Sequence, residues 1–558
     1  MKSLKLDSPA WPGGLLLIVL LLQATMIFTR SINWDEFFYY SQVAAFVRGD
    51  PMQPLQTIHV RFFSWLPGAA SNAVDAIVLA RIAMFGCELV TLAAIYAIGR
   101  KFADCTTALL AALSYICAAY VLQHGFSFRV DPIAAAALMA SLAVLARSRL
   151  SIPAVIAAGA LLGLAGMVTI KSVLFAPAFL GIAWLRWNET GRSWPVVARL
   201  AGCVVAAMIV FALLYLWHQP IMHQAAAATP ATAAPRAPTA STVVQSSFGW
   251  IFFIGEPLHW PLMKEFARLS TFFTIIAICA PVALFLPKSF SLPQKVALAG
   301  LWAPLLTLAF YQNTASYYYA FMLPPVVVGC IAMLKWMGTK IPAAMTAILL
   351  FLPAMGVVLK EDHAAIARQR AVVQTAESLF AEPVRYFDFC GMLATYRKAN
   401  GFMTPWGLKG YQQTGVASFR RTMERDTVPL VLENDGWMTE VLIGTPEQSR
   451  LLPADRAALR NNYIRYWGPL WIAGKAFTPG ADRMEEFLIP GQYRVSGGSL
   501  SIDGVTLNDG QTIDVARGTH RIASAAPGNV RLVWNEIDNP PTKPPPEGNF
   551  WVGFCDGC

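Results

Sequence analysis

The sequence predicts an α-helical polytopic membrane protein of about eleven transmembrane helices, carrying an extracytoplasmic C-terminal domain built from an α/β layer and a small β-sandwich. Three observations predict it. The chain is 56% hydrophobic and only 14% charged, with a mean hydropathy of +0.48, where soluble domains carry roughly 25% charged residues. Apolar runs near spanning length recur through the first 360 residues. Basic residues then fall on every second connection between those runs.

The runs cover residues 15–28, 77–98, 106–122, 133–145, 153–169, 172–187, 196–217, 269–286, 296–311, 318–336 and 341–359. The first lacks the small-residue cleavage site of a signal peptide and is retained as a span. With Lys2 and Lys5 in the cytoplasm, the inner connections hold Arg100 and Lys101, Arg147 and Arg149, Arg186, Arg192 and Arg199, Lys288 and Lys295, and Lys335 and Lys340. Basic residues mark cytoplasmic loops, so the net charge of +10 is a topology signal and not a nucleic-acid footprint. This reading puts the chain beyond residue 360 on the far side of the membrane, with a first outer loop at 29–76 and a second at 218–268, whose stretch 225–244 is Ala, Pro and Thr rich.

The transmembrane domain is therefore residues 1–360. Residues 361–480 mix a helical run (363–379) with short apolar runs at 384–387 and 428–432, as in an α/β layer. Residues 481–558 hold short strands at 492–495, 499–502, 504–507, 512–515, 519–522 and 530–534, parted by Gly and Asn/Asp turns. Of the nine cysteines, six sit in apolar runs and read as small core residues. Cys390, Cys555 and Cys558 lie in the exported part, where one disulfide is compatible with the compartment. The terminal Cys-Asp-Gly-Cys supplies only half of a tetrahedral metal site.

The chemistry-bearing residues gather on the outer side. Asp35 and Glu36 follow the first span, bracketed by Trp34 and Phe37 to Tyr40. A carboxylate held near apolar surroundings can serve as a base; the structural alternative is an N-cap at the membrane surface, supplied by Asp35. His59 and Arg61 form a cationic pair suited to a phosphate, or to a lipid headgroup. Arg129 and Asp131 read locally as an ion pair capping the fourth span. Lys171 lies between two apolar runs, and a charge at such depth usually faces a polar cavity and has a task; its expected partner is an anion entering from the lipid. Tyr317, Tyr318 and Tyr319 form an aromatic turn that suits either an interfacial belt or a sugar-phosphate site.

These elements, in this order, resemble the GT-C superfamily of membrane glycosyltransferases, and within it the aminoarabinose transferases, protein mannosyltransferases and galacturonic acid transferases of bacterial lipopolysaccharide. The resemblance covers about residues 10–360. It rests on Trp34-Asp35-Glu36 after an outward first span, on Arg129-x-Asp131-Pro132, on the Gly163–Lys171 run, which is similar to a Leu-Thr-Lys-Gly element, and on Tyr317–Pro325, which is similar to a Tyr-Tyr-Leu-Leu-Pro stretch. The chain departs from the family in having Val60-Arg61-Phe62 where Pro-Pro-Leu is common, and in lacking a basic residue before the tyrosines.

The resemblance implies a multi-pass protein of a bacterial inner membrane, whose donor is a sugar on a polyprenyl phosphate and whose acceptor is a glycolipid, polysaccharide or protein of the envelope. It makes Asp35 the general base, with Glu36 as neighbour or substitute. It makes Lys171, His59 and Arg61, with Tyr318 and Tyr319, the donor-phosphate ligands, and Arg129 and Asp131 a second cluster. Some relatives use a divalent metal ion, which Asp35 and Glu36 are chemically able to ligate. Competing readings are an O-antigen ligase or polymerase, which needs long outer loops in the second half of the chain, and a transporter, which needs midplane charges and repeat symmetry.

Overall fold

The computed structural model of the chain describes residues 5–50, 56–218, 259–286, 290–311, 313–401, 405–445, 449–524 and 528–551. Most of the predicted 218–268 loop, including its 225–244 stretch, and the cysteines at 555 and 558 lie outside those residues. Every predicted apolar run falls on a helix. Six of these helices are long and apolar enough to cross a membrane: Ala10–Thr29, Ala73–Phe102, Val130–Arg147, Ile170–Glu189, Trp194–His218 and Leu292–Ala309. Two bent pairs, Trp260–Leu269 with Thr271–Ala283 (106°) and Tyr318–Gly329 with Ile331–Met337 (54°), raise the number to eight. The remaining predicted runs form the shorter apolar helices Cys105–Ile116, Ile152–Val168 and Ala343–Val358. A run of apolar residues reports lipid or core surroundings but not continuity of a helix, which is why the expected eleven resolve into six to eight of spanning length among the described residues.

Small residues let these helices approach. A Cβ at Gly159 would sit 2.5 Å from Ala206 Cβ and one at Gly163 would sit 2.4 Å from the Ala207 carbonyl, so Ile152–Val168 lies tightly on Trp194–His218. Tyr318–Gly329 is buried along its whole length and forms the centre of the helical region.

The first long loop opens with the helix Trp34–Val47. Asn33 is its N-cap: the Asn33 side chain accepts from the Glu36 N–H, and the Glu36 carboxylate accepts from the Asn33 N–H. This reciprocal capping box fixes where the chain turns. The cap is thus Asn33 and not Asp35, which lies in the first helical turn.

The C-terminal region begins with the helix Ala365–Ser378 and continues into two sheets. In the first, Arg385–Phe387, Arg397–Lys398 and Leu430–Leu432 pair in parallel, and Leu470–Phe477 joins Leu430–Leu432 antiparallel. Val530–Trp534, Gly491–Ser496 and Thr512–Val515 extend the same sheet, which therefore runs unbroken across the expected boundary at 480. The second sheet holds Asp482–Phe487, Gly518–Ala523, Leu500–Ile502 and Val505–Leu507. Cys390 is a free, buried thiol contacted by the Asn434 amide.

This region clamps the first loop. Gln369 exchanges two hydrogen bonds with the Ile32 backbone (2.8 and 2.7 Å). Arg370 reaches Asp75 (2.8 Å) and Arg30 pairs with Glu361. The Trp34 indole N–H donates to the Asn434 carbonyl (3.2 Å).

Candidate active site

Four charged side chains from three separated segments meet beside the Trp34–Val47 helix. Asp35 pairs with Arg129; the Arg129 Nε donates to Asp131 Oδ2 at 3.1 Å; Asp131 pairs in turn with Lys171. Each position has a local cause. Asp35 stands in the first turn of its helix, placed by the Asn33 cap. Arg129 precedes the helix Val130–Arg147 and Asp131 lies in that helix's first turn, where a carboxylate suits the positive end of the macrodipole. Lys171 sits in the turn after Ile152–Val168, whose Thr169 side chain accepts from the Lys171 N–H.

The chain of charges is enclosed in its middle and more open at its two ends, most of all at Asp35. Side-chain exposure is 14% at Asp35, 3% at Arg129, 2% at Asp131 and 9% at Lys171. Aromatic rings wall it. The Arg129 guanidinium lies 3.3 Å from the Tyr317 ring centroid and 5.4 Å from that of Tyr39, and the Lys171 ammonium lies 5.8 Å from Tyr317 and 5.5 Å from Phe321. Among the described residues Lys171 Nζ hydrogen-bonds only to Asp131, which leaves two of its three N–H donors for a ligand.

Glu36, one residue from Asp35, stands in a different environment. It is fully buried, and Arg81 grips both its oxygens (2.7 and 2.6 Å). The Phe128 N–H (2.8 Å) and the Asn33 backbone and side-chain amides (3.1 and 2.9 Å) complete its shell. Arg81 spends its other donors on the Ile27, Arg30 and Ser31 carbonyls. Glu36 therefore has no open edge for a substrate, and its geometry is that of a clamp. A divalent ion held by Asp35 and Glu36 together does not fit this geometry: the two carboxylates face different arginines. Among the described residues no three His, Cys, Asp or Glu side chains converge as a metal site.

The other expected residues divide. His59 is buried, edge-on to Tyr39 (5.1 Å between centroids), and burial pulls its pKa down to about 4, so it is a neutral group at pH 7. Arg61 forms no ion pair with the four charges among the described residues; it lies against the end of Trp194–His218, donating to the Trp217 carbonyl (2.8 Å) and the His218 ring (3.2 Å). Tyr318 and Tyr319 turn from the network: the Tyr318 hydroxyl bonds Thr307 (2.7 Å), and the Tyr319 ring packs on Phe266 and Tyr120. Tyr317 takes the place expected of them, because successive helical positions differ by about 100° around the axis. Asp131, rather than an incoming anion, is the partner of Lys171 in this structure.

Sequence reasoning missed Arg81. Its signal was available, as an arginine inside the apolar stretch Ala73–Phe102 must find an internal anion. The Asn33-x-x-Glu36 spacing likewise announces a capping box.

No protein-family model and no curated protein matches the sequence. Solved structures do. The aminoarabinose transferase ArnT of Cupriavidus metallidurans, determined with undecaprenyl phosphate, superposes with a TM-score of 0.52 at 13% identity, over 78% of this chain and 96% of that one. The oligosaccharyltransferase of Archaeoglobus fulgidus in its apo form gives 0.52 at 12% identity, over 92% of this chain and 94% of its own. The same archaeon's AglB, with an inhibitory peptide and a dolichol-phosphate, gives 0.50 at 12% identity over 94% and 95%. This chain therefore shares the fold of the transferase ArnT and of the archaeal oligosaccharyltransferase.

Proposed function

We propose that this chain transfers a sugar from a polyprenyl-phosphate-linked donor to a hydroxyl of an envelope acceptor at the extracytoplasmic face of a bacterial inner membrane. The observation that carries the proposal is the four-charge chain ending at a partly exposed Asp35. It lies on a fold shared with enzymes solved with undecaprenyl phosphate and dolichol-phosphate.

The chemistry follows from the arrangement. Asp35, facing outward from Arg129, takes the acceptor hydroxyl proton as its oxygen attacks the anomeric carbon. The bond from that carbon to the phosphate oxygen breaks and the electron pair leaves on the lipid phosphate. Lys171, with two donors to spare, stabilises the charge that grows there. Arg61, which holds no carboxylate among the described residues, is a second cation for the same phosphate as it docks. His59, uncharged when buried, supports Tyr39 and so the wall around Arg129. A single displacement of this kind inverts the sugar. No nucleotide is required, because the leaving group is already a phosphate.

Mass spectrometry of envelope glycolipids, polysaccharides and proteins from cells with and without the gene tests this reading. The expected result is one acceptor class that loses a sugar-sized increment on deletion and regains it with the wild-type gene. An unchanged envelope, with the chain's production confirmed in the parent cells, would sink the proposal.

A further inference from the structure

Away from the four-charge chain, the C-terminal region has a half-open cavity of about 660 Å³ between the helix Pro453–Asn462 and the strands Tyr463–Trp467, Leu470–Phe477, Asp482–Phe487 and Val530–Trp534. Its size suits a small ligand such as a mono- or disaccharide, since ligand pockets run at roughly 300–1,000 Å³. Its charge is one-sided. Arg460, Arg465, Lys475, Arg483 and Arg531 line it, against Glu485 alone among acids.

The pairing within the cavity leaves cations over. Glu485 is shared by Lys475 (3.1 Å) and Arg483 (2.6 Å). Arg465 reaches out to Glu433 (3.2 Å). Arg460 and Arg531 have no ion pair or side-chain hydrogen bond among the described residues. Gathering like charges around one cavity is repulsive, and an entering anion converts that repulsion into attraction. Guanidinium groups also match the planar fork of a carboxylate or the edge of a phosphate.

The cavity is joined to the site. Glu433, which holds Arg465 and the Trp471 indole (2.8 Å), adjoins Asn434 in the chain. The Asn434 carbonyl receives the Trp34 indole, and Trp34 adjoins Asp35.

We propose that this cavity binds a phosphate- or carboxylate-bearing sugar of the acceptor. As an acceptor subsite it rests on the transferase reading; the binding itself does not.

The test is a binding titration of the full chain in phosphatidylcholine nanodiscs with glucose 6-phosphate, trigalacturonate, the neutral methyl ester of trigalacturonate, and inorganic phosphate. The expected result is that one of the two anionic sugars binds, at least tenfold more tightly than the ester or inorganic phosphate. Arg460→Ala with Arg531→Ala then weakens that sugar tenfold or more, and the paired Arg→Lys variant retains most of the affinity. Asp35→Asn binds as wild type, so a failed transfer reading would not disturb this result. Equal binding by wild type and the double alanine variant would overturn the proposal. So would an ester as tight as the acids, or inorganic phosphate as tight as the sugars, which would mark a free-anion site. Loss of sugar binding in phosphatidylglycerol nanodiscs would assign the cavity to a lipid headgroup instead.

Discussion

Two ion-pair clusters lie side by side at the start of the Trp34–Val47 helix, and they are built to opposite ends. Around Glu36, every carboxylate and guanidinium bond is spent inside the protein, at no exposure to solvent. Around Asp35, the charges are chained through Arg129 and Asp131 to Lys171, and the terminal carboxylate keeps an open edge. Adjacent residues of one type thus divide between holding the loop and facing a substrate. The division comes from the cap: Asn33 draws Glu36 back over the helix start, and the helical rotation then turns Asp35 elsewhere.

The largest effect that would break this comparison is expected at the closed cluster. Arg81→Ala leaves the Glu36 carboxylate buried without its counter-ion, a loss of about 3–5 kcal/mol for such pairs. The monodisperse protein recovered in detergent should fall accordingly, and normal recovery with normal melting would show that Glu36 is not a clamp.

A smaller effect is expected from His59, which lies against Tyr39 on the open side. Burial holds its folded pKa at about 4, below an unfolded value near 6.5. The unfolded chain therefore binds the proton first as pH falls. Its contribution to stability is present above about pH 6.5 and is lost between there and pH 4, up to about 3 kcal/mol. Melting curves across that range should flatten in His59→Phe; an unaltered pH profile would place the imidazole in contact with solvent.

The smallest concerns the wall. Tyr317→Leu removes the ring under Arg129 and should cost roughly 1 kcal/mol of site organisation, read as about a fivefold loss of transfer rate. Tyr319→Leu, which changes only packing against Phe266 and Tyr120, should alter melting more than rate. The reverse pattern would restore Tyr319 to the site.

Much of this was legible in the sequence. Helical runs, and the ordered appearance of Asp35, Arg129, Asp131 and Lys171, can be read because lipid burial and costly charges leave strong local marks. What pairs with what was not legible. Lys171 was expected to await an anion, and the structure gives it Asp131, a contact made across a long separation in the chain. Which of Tyr317, Tyr318 and Tyr319 faces the charges is not legible either, because adjacent residues of one type differ only in rotation about the helix. In the C-terminal region the strands ending in Gly and Asn/Asp turns were found, while Tyr463–Trp467, Leu470–Phe477 and Asp482–Phe487 were not. Their charged positions, Arg465, Lys475, Arg483 and Glu485, interrupt the apolar alternation that marks a strand, and those same residues line the basic cavity.

The most direct measurement is release of free polyprenyl phosphate from a polyprenyl-phosphate-linked sugar, with the acceptor found in the envelope comparison, by purified wild type, Asp35→Asn and Glu36→Gln. Asp35→Asn should melt within about 1 kcal/mol of wild type yet release product some 10²–10⁴-fold more slowly, whereas Glu36→Gln should lose stability first. Wild-type release by a well-folded Asp35→Asn would contradict the assignment of Asp35 as the base.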